Sequence, residues 1–208
     1  MRRIKRWVDE VGRSLEYMLT GQKTFRVTTG ELKAGFETIT DRFKARQYQD
    51  DVKDVLWRRF AIKVEEPVIF ELFAPDQAPS AGEDCPAHGV VGFYRPHLLG
   101  DRRTHLVFVV NNLPTPRFRA VYAHELVHAW ERESGILPEE RVLREGLARW
   151  VEYKLLLEAG RRDDAHKVLN VSRWAWGKGI RIVLDVEKQV GEAQVIETLR
   201  QQSLARRG

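Results

Sequence analysis

The chain has 208 residues, of which 43% are hydrophobic and 31% charged, and its formal net charge is +5. Such a composition is typical of a globular protein with a hydrophobic core, and the length allows one domain or one domain with an appended helical segment. The single cysteine, Cys85, excludes an internal disulfide bond and any zinc site built from several cysteines. No run of about 18 apolar residues is present, so no transmembrane segment is expected.

The basic N-terminal segment predicts an amphipathic helix rather than a signal peptide. Its apolar residues recur at helical spacing between Ile4 and Leu19, without the continuous apolar core of a leader sequence. We interpret this helix as one that docks on the rest of the protein, with an anionic membrane surface as the alternative. The 35 basic residues are interspersed with 30 acidic ones and carry no nucleic-acid-binding signature, so no nucleic-acid partner is expected. The expected location is cytoplasmic.

The spacing of apolar residues in the first part of the chain predicts helices. Residues 1–62 form a predicted N-terminal helical segment ahead of a domain at 63–208. Within that segment a helical repeat of apolar residues runs through Ile39 and Phe43 and resumes at Val52.

Three short apolar runs follow and predict β-strands. Residues 74–89, between the first two runs, are rich in Pro, Gly, Asp and Ser and therefore predict a loop. Residues 111–116 predict a turn after the third run. The strand-forming runs are 67–73, 90–95 and 104–110.

Helical patterns occupy the rest of the chain. One helix is predicted from Phe118 to about residue 134 and a second from about 139 to 158, while residues 163–205 predict further helices. The stretch "WGKG" at 176–179 predicts a break between two of them. Helices, a small sheet and then more helices make an α+β pattern rather than alternating βαβ units.

The motif "AVYAHELVHAWER" at 120–132 carries the main chemical signal. On a helix, residues four apart project about 40° from each other, so His124 and His128 share one face and can bind a single metal ion. Glu125, next to them, can reach a metal-associated water and act as general base in metal-assisted hydrolysis. The motif also occurs in helices without a metal. Its uncharged neighbours, however, predict a buried helix whose polar groups need partners.

A catalytic metal site needs a third protein ligand, and Glu145 is the best candidate. It lies 17 residues after His128 on the next predicted helix, which a turn near Gly135 would bring back antiparallel. Gly146 would allow close approach beside the metal. Without this pairing, Glu145 would be read as an ordinary surface carboxylate.

With this downstream Glu-Gly pair, the chain resembles the gluzincins, the thermolysin-like zinc peptidases. More closely, "VVNNLPTPRFRAVYAHELVHAWERESG…REGLARWVEY" is similar to the peptidase domain of the ubiquitin-activated LIM peptidases that limit organ growth in plants. The resemblance covers roughly residues 65–205 and is strongest at 108–153. It implies a zincin-like fold, with a small mixed sheet packed on the motif helix and a C-terminal helical part.

The resemblance also implies functional roles for individual residues. It makes His124, His128 and Glu145 the ligands of Zn²⁺, Glu125 the catalytic base, and the protein an endopeptidase acting on a selective protein or peptide substrate. A gluzincin strand in the place of Val110, Asn111 and Asn112 binds the substrate backbone as an added strand, so that role is expected of these three residues.

The sequence departs from the family at several positions. One cysteine cannot build a LIM domain, so activation by ubiquitin is not implied. Thermolysin-like enzymes place an aspartate that supports a histidine where this chain has Arg149, and Glu152 is the candidate to replace it. A tyrosine of the late glycine segment is replaced by Trp176, so the oxyanion needs another donor. The candidates are Tyr153 and His166, with Tyr94, His97 and the indole of Trp176 also open.

Two other functions remain as alternatives. The chain could be a latent or regulatory peptidase-fold protein whose helices at 1–60 cover the cleft until an activating partner binds. It could instead be a basic module that binds nucleic acid or membrane, with a purely structural motif helix. Salt-dependent DNA retention without zinc would favour the latter, and activity gained on deleting residues 1–60 would favour the former.

Overall fold

The computed structural model describes residues 37–74, 91–135, 141–170 and 174–205. Within these ranges the chain forms six α-helices and two small sheets, which confirms the predicted α+β class. The predicted helix near the N-terminus and, apart from Ala74, the predicted loop at 74–89 lie outside them. The elements are β1 (Thr38–Ile39), α1 (Arg42–Phe60), β2 (Val68–Phe73), β3 (Gly92–Leu99), β4 (Arg102–Val110), β5 (Leu113–Pro114), α2 (Thr115–Ser134), α3 (Arg141–Glu158), α4 (Arg162–Leu169), α5 (Trp174–Val190) and α6 (Val195–Ala205), with a 3₁₀ turn at Glu192–Gln194.

The larger sheet has the strand order β2–β4–β3. Strand β4 lies in the middle, parallel to β2 and antiparallel to β3. This position explains its continuous apolar run, because a strand with neighbours on both sides is buried along the sheet, here from Thr104 to Val110. Strands β3 and β4 are joined by a tight turn in which Gly100 adopts a φ of 62°, a conformation that glycine enters without steric cost.

The motif helix α2 lies at the centre of the molecule. Its residues from Phe118 to Glu131 are almost all buried, since the sheet packs on one side of it and α3 on another. Phe70 of β2 contacts Phe118 and Tyr122 of α2 edge-on, with ring centroids 5.8 and 5.3 Å apart. The sheet and the motif helix therefore share one hydrophobic core.

Helix α1 belongs to that same core. Asp41 caps its N-terminus by accepting a hydrogen bond from the backbone N–H of Lys44 at 2.9 Å. At the other end, the ring of Phe60 packs edge-on against Trp150 of α3 at 5.3 Å. The described part of the predicted N-terminal segment thus packs against the domain rather than standing apart from it.

The helical repeat predicted through Ile39 and Phe43 is wrong. Ile39 lies in β1, where it pairs with Leu113 of β5, and it is fully buried. Phe43 follows the Asp41 cap on α1 and is 76% exposed. The helix begins only after Asp41, and Ile39 belongs to the strand before it. The apparent helical repeat in the sequence therefore combines residues of two different elements.

The predicted break at 176–179 is also wrong, because these residues lie inside α5. Helices α3 and α5 cross where Gly146 faces Gly179, and the α-carbon of Gly146 would lie 2.9 Å from a Cβ atom placed on Gly179. Glycine therefore serves here to let two helix backbones touch. At the same contact Gly146 makes room for α5.

In the part of the chain that the structure describes, no helix is both long and apolar enough to cross a membrane.

Candidate metal centre

Three donor groups converge between α2 and α3. The Nε2 atoms of His124 and His128 are 3.2 Å apart, and each lies 3.9 Å from a carboxylate oxygen of Glu145. Ligands at about 2.0–2.2 Å from a tetrahedral zinc ion would be separated by about 3.3 Å. The three groups are therefore close to the spacing that one metal ion requires.

Both histidines are oriented by carboxylates on their far side. Nδ1 of His124 lies 3.2 Å from Glu152 of α3, and Nδ1 of His128 lies 3.1 Å from Glu131 of α2. When Nδ1 donates its hydrogen to a carboxylate, Nε2 is left with a free lone pair directed at the other ligands. Glu152, which the sequence predicts as the carboxylate that supports a histidine, is thus in contact with His124.

The charge state of Glu152 suits this role. Burial disfavours its ionised form, but the hydrogen bond with His124 and the positive charges of Arg149 and Arg117 outweigh burial and lower its pKa to about 2. The carboxyl group is therefore ionised at neutral pH and acts as a hydrogen-bond acceptor.

A proton competes with a metal ion at His128. Burial lowers the pKa of this imidazole, but the hydrogen bond with Glu131 and the charges of Glu145 and Glu125 outweigh burial and raise it to about 9. Because a ligating imidazole must be neutral, binding of a metal ion at neutral pH would release this proton.

Glu125 lies beside the donor groups without being one of them. Its side chain is buried against β3, where a Cβ atom on Gly92 would lie 2.9 Å from Oε1 of Glu125 and 2.6 Å from Val121. Burial raises the pKa of Glu125, and the charges of Glu145 and Glu152 act in the same direction. A raised pKa strengthens the tendency of this carboxylate to accept a proton, which is what a general base must do.

The role expected of Val110, Asn111 and Asn112 does not fit their positions. Their backbone N–H groups donate to the carbonyls of Val91, Phe73 and Ile39, at 2.9, 2.9 and 2.7 Å respectively. A substrate strand cannot pair with groups that are already bonded within the chain. The sequence could not reveal this, because the partners of these three residues come from three remote segments.

Strand β3 provides the edge of the larger sheet nearest the motif helix. The N–H of Val110 donates to the carbonyl of Val91. Along β3, the backbone N–H and C=O groups of successive residues therefore point alternately to β4 and to the open edge of the sheet. By this alternation the backbone groups of Gly92 and Tyr94 point outward. Both residues lie over α2: Gly92 against Glu125, and the Tyr94 ring 6.4 Å from that of His128.

The oxyanion candidates are dispersed. His166 is exposed on α4, and Tyr153 is half-buried against the hydrophobic core on α3. The hydroxyl of Tyr94 is engaged with Nδ1 of His105 at 3.0 Å, and burial raises its pKa to about 12. The side chain of Trp176 lies outside the described part of the chain.

Sequence reasoning missed Glu131 as a partner of His128. A glutamate three residues after the second histidine lies on the same helix face, so the spacing itself was a readable signal. We expect Glu131 to limit rotation of the His128 ring, while Glu152 holds His124 from a second helix.

Replacing Glu152 by glutamine should weaken metal binding about 10- to 100-fold, the range typical of outer carboxylates at metal sites. The amide keeps the shape of the side chain but loses the charge that favours the Nδ1–H tautomer of His124. Competition with a zinc-binding dye would measure the change. An unaltered affinity would mean that Glu152 does not orient this histidine.

Searches against protein-family models, curated proteins and solved structures return no significant match to this chain. Support for a metal centre therefore comes from the arrangement of its own residues.

Proposed function

We propose that the protein is a zinc-dependent endopeptidase of zincin-like fold. The observation that supports this most directly is the convergence of His124, His128 and Glu145, with Glu125 buried beside them. Two imidazoles and one carboxylate form a donor set used by catalytic zinc, which leaves a fourth position open. A mixed sheet packed on the motif helix agrees with the same proposal.

The residues around the donor groups have different roles in the proposed reaction. A zinc ion supplies a Lewis acid that polarises a carbonyl oxygen and activates water. Glu125 takes a proton from the attacking water at its carboxylate and delivers it to the departing amine nitrogen. Glu152 and Glu131 keep the two imidazoles in the orientation that metal binding needs.

The outer edge of β3 is the proposed site for the substrate backbone. An extended peptide paired with Gly92 and Tyr94 would form one more strand of the sheet. Its scissile carbonyl would then pass over the motif helix close to Glu125. Main-chain pairing gives affinity without a sequence requirement, so selectivity would come from side-chain contacts beyond this edge.

The first test is the zinc content of the purified protein and of Glu145→Ala, measured by elemental analysis together with hydrolysis of a denatured protein substrate. We expect metal-dependent hydrolysis in the native protein, and we expect Glu145→Ala to lose that hydrolysis and to contain about one zinc per chain less than the native protein. Glu158→Ala is the matched control, because Glu158 lies on the same helix but is 61% exposed.

Zinc retained in Glu145→Ala at the native level would remove Glu145 from the ligand set and count against the proposal. Zinc bound at this centre without any hydrolysis, including after deletion of residues 1–36, would reduce the proposal to a metal-binding protein. The deletion removes only residues that precede β1 and leaves every described element in place.

A further inference from the structure

A second cluster of one histidine and two glutamates lies at the C-terminal end of α2. His105 of β4 is 1% exposed, and its Nε2 atom is 2.9 Å from Oε1 of Glu133 and 3.3 Å from Oε2 of Glu66. Glu133 lies in the last turn of α2, and Glu66 precedes β2 by two residues. Glu133 follows His128 by five residues, so this cluster is separated along the helix axis from the first by about 7.5 Å.

The two carboxylates converge on one nitrogen atom. Nε2 of His105 carries at most one hydrogen, so it cannot satisfy Glu133 and Glu66 equally. The two anions also lie at the C-terminal end of a helix, where the partial negative charge of the backbone carbonyls disfavours them. A cation between the three groups would neutralise this concentration of negative charge.

The far side of His105 has the arrangement of a metal ligand. Its Nδ1 atom lies 3.0 Å from the hydroxyl of Tyr94 and can donate a hydrogen to it. The imidazole then presents the lone pair of Nε2 to the two carboxylates. His124 and His128 have the same pattern, with Nδ1 held by an oxygen and Nε2 directed at a carboxylate.

The carboxylate of Glu133 is held in place before any ion binds. Its Oε2 accepts the backbone N–H of Glu65 and its Oε1 that of Glu66, both at 2.8 Å. Each oxygen keeps a further lone pair after accepting one such bond. Such preorganisation reduces the entropy lost when a ligand is immobilised on an ion.

We propose that His105, Glu66 and Glu133 bind a second divalent transition-metal ion with a structural role. An imidazole with two carboxylates suits zinc, cobalt or manganese better than calcium or magnesium, which prefer oxygen ligands alone. The ion joins β4, the end of α2 and the segment before β2, and through Tyr94 it steadies β3. It does not depend on the first centre, so either site can exist without the other.

The test is the number of cobalt(II) ions bound per chain in equilibrium dialysis of the metal-free protein. We compare the native chain with Glu66→Gln, Glu65→Gln, Glu145→Ala and the double variant Glu66→Gln/Glu145→Ala. Glu65→Gln is the matched control, because Glu65 adjoins Glu66 but is 66% exposed and pairs with Lys63. Glu66→Gln keeps the backbone bond to Glu133, so the fold is retained.

We expect about two ions in the native chain and in Glu65→Gln, about one in Glu66→Gln and in Glu145→Ala, and none in the double variant. Cobalt should also raise the melting temperature of Glu66→Gln less than that of Glu65→Gln. Native stoichiometry in Glu66→Gln, or complete loss of cobalt in Glu145→Ala, would overturn the second site. One ion lost in Glu66→Gln but none in Glu145→Ala would establish the second site and reject the proposed function.

Discussion

Glu125→Gln should bind zinc as the native protein does and lose nearly all hydrolysis. The amide has almost the same shape as the carboxyl group but cannot accept the proton of the attacking water. General-base catalysis typically contributes about 10²- to 10⁴-fold, so the rate should fall by that factor. Glu125 is buried beside the donor groups but is not one of them, so metal content should not change. Single-turnover hydrolysis and elemental analysis of the same preparation measure the two quantities.

Glu158→Gln provides the control for this experiment, since it makes the same chemical change at an exposed position of α3. Its rate should match that of the native protein. If Glu125→Gln hydrolysed substrate at the native rate with zinc bound, another group would have to move the proton, and the proposed mechanism would fail.

Gly179→Ala should destabilise the fold by about 3 kcal/mol, at the upper end of the range for overpacked sites. A Cβ atom there would overlap the carbonyl oxygen of Val142 and lie 2.9 Å from backbone atoms of Gly146. Backbone atoms cannot rotate aside, so α3 and α5 must separate. The roughly 1 kcal/mol by which alanine favours a helix over glycine is too small to compensate. Urea unfolding followed by circular dichroism measures the loss.

Gly100→Ala separates this packing effect from the general consequence of replacing glycine. Gly100 has a positive φ and nothing within 4 Å of an added Cβ atom, so its replacement should cost only about 1–2 kcal/mol of backbone strain. Because α3 carries Glu145 next to Gly146, Gly179→Ala should also weaken zinc binding, whereas Gly100→Ala should not. Equal losses of stability and equal zinc affinity in the two variants would contradict the assigned role of the glycine contact.

The local part of the candidate site could be predicted from the sequence. His124 and His128 share a face because the helix period alone determines their directions. The position of Glu145 cannot be predicted from the helix period alone, because it depends on how α3 folds back on α2. The structure brings all three together, and it supplies Glu152 as the carboxylate behind His124.

Features that depend on contacts between remote segments were missed or misjudged. The apolar run of β4 indicates a buried strand but not its neighbours, so the sequence predicts a substrate-binding edge at Val110 to Asn112, whereas the open edge next to the motif helix belongs to β3. The sequence predicts a helix break at Gly179, because it does not show that Gly146 packs against this residue. The cluster around His105 combines residues from two elements and from the segment before β2, and no spacing pattern connects them.

Helix α3 carries both Glu145 and Glu152, so one rigid element brings a donor group together with the carboxylate that orients a histidine of α2. The donor groups converge only while α3 is docked on α2. An ion that binds them selects the docked form and raises its population by mass action. Removal of such an ion would therefore weaken the contact between α2 and α3, while the hydrophobic core that the two helices share would remain.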